Sequence, residues 1–109
     1  MKEDRRIPVY IGIAPGPDDA VLVEEEQDMP ATGHAVRFAV PKRGHQPGCF
    51  CCTARGPAAN AFSSLYRDRA LGAAPYFTRV IVLASLAGQA DIKAALDQDA
   101  VTKARFRLG

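Results

Sequence analysis

The stretch Phe77-Thr78-Arg79-Val80-Ile81-Val82-Leu83-Ala84-Ser85 constrains the fold of this chain more than any other. Its V-I-V-L-A centre is continuously apolar and β-branched, without the alternation of a strand that keeps one face in water. Such a run predicts a strand buried on both faces, in the middle of a sheet. A strand of that kind needs covering elements on either side, and the rest of the chain supplies candidates.

Ile7 to Ile13 reads I-P-V-Y-I-G-I, a β-branched run that ends in the turn-rich Ala14-Pro15-Gly16-Pro17-Asp18-Asp19. This is how a buried strand hands over to a helix, with Asp18 or Asp19 as its cap. Ala20 to Gln27 then places Val21, Leu22 and Val23 before three glutamates, which predicts a short helix or an irregular segment stopped by Pro30 and Gly33. Ala35 to Val40 is a second strand, closed by Pro41 and Gly44. Pro57 opens a segment in which Ala58, Ala61, Phe62, Leu65, Tyr66 and Ala70 recur at three- and four-residue spacing, an amphipathic helix that ends near Gly72 and Pro75. Ala90 to Ala104 carries Ile92, Ala95, Leu96, Ala100 and Val101 on one stripe and predicts a last helix. The order β-α-β-α-β-α favours a three-layer α/β/α fold with a small, mostly parallel sheet.

A chain of 109 residues fits a single domain, here residues 1–109, with a core that needs no disulfide support. Apolar content of 48% and charged content of 24% argue for a folded globule rather than a disordered chain. The formal charge of +2 comes from interspersed Lys and Arg, and aromatic content is 7%, so neither a basic block nor a stacking platform marks a nucleic-acid binder. Neither a signal peptide nor a membrane span follows the charged Met1 to Arg6 segment. The expected location is the cytoplasm.

All three cysteines fall within Gly48-Cys49-Phe50-Cys51-Cys52, just beyond the second strand. An odd number of thiols, two of them adjacent, makes a poor disulfide framework and suits a reducing compartment. Thiols this close can place several sulfurs on one soft ion, which deprotonates them, and zinc is the first candidate. His45 lies four residues before Cys49 and can complete the site. Adjacent side chains point apart, so two thiols plus His45 is a simpler set than all three thiols. The alternatives are that the thiols are small loop or core residues that bind nothing, or that Arg55 and Lys42 lower their pKa for redox chemistry, a reading disfavoured by the lack of C-x-x-C spacing. His34, after Gly33, reads as a turn residue.

With that order of elements in place, the chain resembles the CobW-type P-loop GTPases, metallochaperones and metal-insertion proteins with a Cys-x-Cys-Cys motif. Ile7-Pro8-Val9 is similar to the opening of that family's first strand, and Gly48-Cys49-Phe50-Cys51-Cys52-Thr53-Ala54-Arg55 to its G-C-x-C-C-T-x-R signature. Phe77 to Val82 resembles the strand before its E-T-x-G-L-A-D-P motif, and Asp97-Gln98-Asp99 through Arg105-Phe106-Arg107-Leu108 resembles the helical stretch after it. The resemblance implies a truncated P-loop GTPase core that lacks the family's C-terminal part.

The departures from the family bear on function as much as the matches. A phosphate-binding loop requires G-x-x-x-x-G-K-[ST], with backbone N–H groups around the phosphates, a Lys for charge and a hydroxyl on magnesium. Gly12-Ile13-Ala14-Pro15-Gly16-Pro17-Asp18-Asp19 stands in its place. Pro15 and Pro17 remove two donors, and the aspartates bring negative charge. A unit-charge contact at ~4 Å and an effective dielectric of about 20 is worth roughly 4 kcal/mol, so a triphosphate would be repelled. Leu83-Ala84-Ser85 replaces Glu-Thr-Thr or Glu-Thr-Ser, no N-K-x-D motif follows, and Lys42 stands where the family's N-E-F-G has its acid. The resemblance thus implies a CobW-like protein without GTPase activity or bound nucleotide. On this reading it binds a thiophilic metal through Cys49, Cys51 and Cys52, with His45 completing the set. The competing reading is an interaction module, acting as a homodimer or with a protein partner and without metal.

Overall fold

The computed structural model describes residues 6–40 and 56–109. Its elements, in chain order, are β1 (Ile7–Ile11), β2 (Ala20–Glu24), β3 (His34–Phe38), α1 (Gly56–Leu71), β4 (Val80–Leu83), α2 (Leu86–Gln98), α3 (Ala100–Arg105) and β5 (Phe106–Leu108). The strands form a parallel sheet in the order β3-β2-β4-β1-β5. The apolar run at 80–83 is the central strand, as its composition requires, with Val80, Ile81 and Val82 fully buried. The small α/β fold expected from the element order is present, and its described sheet is entirely parallel.

Handedness explains where the helices lie. The connection from β3 to β4 and the one from β4 to β5 both step across the sheet in the same direction, so right-handed crossovers put α1, α2 and α3 on one face. Buried residues of α1 (Phe62, Leu65) and α2 (Ile92, Ala95) join one core cluster with Val9, Leu22, Val80, Val82 and Phe106. The connections β1 to β2 (residues 12–19) and β2 to β3 (residues 25–33) step the other way, which puts them over the opposite face. Arg37, on that face of β3, donates through Nη1 to the carbonyls of Glu25 at 2.7 Å and Gln27 at 3.1 Å. The two connections also meet, Thr32 Oγ1 donating to the Pro15 carbonyl at 3.2 Å. Beneath them Val21, Val23 and Ile81 are fully buried. The described residues thus place helices on one face of the sheet and irregular chain on the other.

Three sequence expectations change. Ala20 to Gln27 is no helix or irregular segment at its start: Ala20–Glu24 is a strand paired with β3 and β4, because burial on both faces removes the alternation by which a strand is recognised. No helix therefore follows β1, and Asp18 and Asp19 cap none. The expected single helix over 90–104 begins earlier, at Leu86 with Ser85 as its N-cap, and breaks at Asp99, whose carboxylate accepts from Thr102 N at 2.9 Å and Oγ1 at 2.7 Å to cap α3. Residues 106–108, which the resemblance placed in a helical stretch, form the edge strand β5, with Ile7 opposite Phe106 and Val9 opposite Leu108. The helix opened by Pro57 is as expected and ends where predicted. Gly72 takes φ +78°, a backbone geometry that costs a glycine little, and Ala74 N bonds back to the Asp68 carbonyl at 3.1 Å. No helix among the described residues is long and apolar enough to cross a membrane.

Phe106 fastens the last strand to the core. It is 1% exposed, with its ring 4.8 Å from that of Phe62 and 6.1 Å from that of Tyr66. Phe106→Ala is expected to lower unfolding stability by about 3–5 kcal/mol in urea denaturation, since it removes buried surface and leaves a cavity; a change below about 1 kcal/mol would mean that β5 is dispensable to the fold.

Candidate functional site

In a parallel sheet, ligand-binding groups gather at the carboxyl ends of the strands. Here β2 and β4 end side by side, at Glu24 and Leu83. Glu24 is 9% exposed, and its Oε1 accepts from Ser85 N at 2.8 Å and from Ser85 Oγ at 2.6 Å. Ser85 is the N-cap of α2, its Oγ accepting from Gly88 N at 3.3 Å. A carboxylate is thus held at the positive end of a helix, where its charge is favoured. Strand pairing thus brings an acid from β2 beside Leu83-Ala84-Ser85. Sequence reasoning missed it because Glu24 opens a Glu-Glu-Glu run that reads as solvated surface, and only strand pairing brings it beside Ser85.

Gly88 allows this close approach. A Cβ there would overlap Glu24 Oε1 and stand 2.8 Å from Ala84 Cβ. One turn further along α2 is Asp91, half-buried beside Glu24. Burial first, and the Glu24 charge second, push its carboxyl above the ordinary value of 3.8. Among the described residues none donates a hydrogen bond to it. Asp91 borders an open cleft of ≈ 330 Å³ between residues 56–59 of α1 and the Ala94, Gln98 and Asp99 stretch of α2.

The segment in the phosphate-loop position is built differently from a phosphate site. Such a site needs a strand, a loop and then a helix N-terminus aimed at the anion. Here β1 leads through residues 12–19 into a strand. Asp19 accepts two bonds from Arg79, Nε to Oδ1 and Nη2 to Oδ2, both at 2.8 Å, and one from Gly16 N at 2.7 Å. The Arg79 hydrogen bonds hold its carboxyl below 3.8 against the opposing effect of burial. Much of the repulsion expected from Asp19 is therefore spent on Arg79, while Asp18 remains exposed.

The sequence-derived metal ligands Cys49, Cys51, Cys52 and His45 lie outside the described residues. The other imidazole, His34, opens β3 and stands with Nε2 3.0 Å from Asp68 Oδ2 on α1, a strand-to-helix contact rather than a free turn residue. Among the described residues no group of three or more His, Cys, Asp or Glu side chains is placed to hold a metal ion. No protein-family model, curated protein or solved structure matches this chain. The CobW resemblance rests on its motif residues alone.

The two perturbed aspartates make opposite pH predictions. Asp19, with its folded pKa depressed, stabilises the fold above 3.8, and that contribution is lost as pH falls through the folded value. Asp91, with its folded pKa raised, favours the fold when protonated, so stability falls as pH rises from 3.8 through the folded value. Asp19→Asn is expected to lower the Tm at neutral pH and Asp91→Asn to raise it, both differences shrinking on acidification in a pH series of thermal melts. Gly88→Ala should cost about 1–3 kcal/mol by steric overlap in chemical denaturation, although alanine is the better helix former by about 1 kcal/mol.

Proposed function

We propose that this chain is a non-catalytic, CobW-like metal-binding protein that takes a thiophilic ion, zinc first, through the Cys49, Cys51 and Cys52 segment with His45 as the nitrogen donor. The observation that carries the reading is the clustering of every cysteine in G-C-F-C-C-T-A-R, a donor set of thiolates and an imidazole suited to a tetrahedral zinc site. Its supporting context is topological. β3 ends at Phe38 and α1 begins at Gly56, and in a parallel sheet the carboxyl ends of the strands are where ligand-binding groups gather. Cys49 and Cys51 serve as primary ligands and Cys52 as an alternate during transfer, which avoids asking adjacent side chains to share one ion. A bound ion supplies thiolate chemistry at neutral pH, and its uptake releases protons.

Loss of GTPase chemistry belongs to the same proposal. Two prolines, the absence of a Lys and Ser or Thr pair, and a strand rather than a helix after residues 12–19 all oppose a phosphate cradle. A second reading, a protein-interaction module, draws support from Leu71 and Tyr76, which are 74% and 76% exposed near the end of α1.

A Co²⁺ titration of fully reduced protein distinguishes the two. Saturable, stoichiometric thiolate-to-metal charge-transfer and d–d bands, displaced by Zn²⁺ and abolished in the triple Cys→Ser variant, are expected. Featureless spectra would overturn the metal reading in favour of the interaction module.

A further inference from the structure

We draw no further inference here: the strongest candidate, the groove beside β5 and α2 whose lining includes Arg6, Lys93, Lys103 and Arg107 together with Asp97, is a surface of mixed charge, and nothing in the structure shows what covers it.

Discussion

The pairing of β4 with β1 on one side and β2 on the other holds the two halves of the sheet together. Without it, β3-β2 and β1-β5 would be separate two-stranded ribbons, each too small to persist in water. Val80, Ile81 and Val82 meet that demand by burying both faces, Val80 and Val82 toward the helices and Ile81 toward the irregular layer. Parallel pairing requires such burial, because each crossover carries the chain over a face of the sheet.

The irregular layer takes the place of a helix by using polar contacts. A helix satisfies its own backbone, whereas residues 12–19 and 25–33 need outside partners. Arg37 caps two carbonyls, Asp19 takes the Gly16 N–H, and Arg79 anchors Asp19 to the start of β4. The Asp19–Arg79 pair therefore holds the β1 to β2 connection beside the central strand. In the same place a phosphate loop would present unpaired N–H groups to a ligand, whereas here the Gly16 N–H is taken by Asp19.

Carboxylates at the opposite end of β2 and along α2 divide into two kinds. Glu24 joins β2 to the cap of α2 through the bonds of its Oε1 with Ser85, in space left because residue 88 is glycine. Asp91 has an environment that disfavours its charge and, among the described residues, no bond that offsets it.

Local composition determined much of this protein. The V-I-V-L run specified a central strand, and Pro57 and Gly72 bracketed a helix, because each depends on residue type and short-range spacing. The tertiary structure alone decided that 20–24 is a strand, since pairing on both edges and burial on both faces overrode the short helix or irregular segment expected there. It likewise decided that 106–108 is a strand: three residues are too few for a period, and Phe106 gains its place only from Phe62 and Tyr66. The partnerships Glu24 with Ser85 and Asp19 with Arg79 span 61 and 60 residues. No local pattern encodes contacts at that separation; the order of strands in the sheet does.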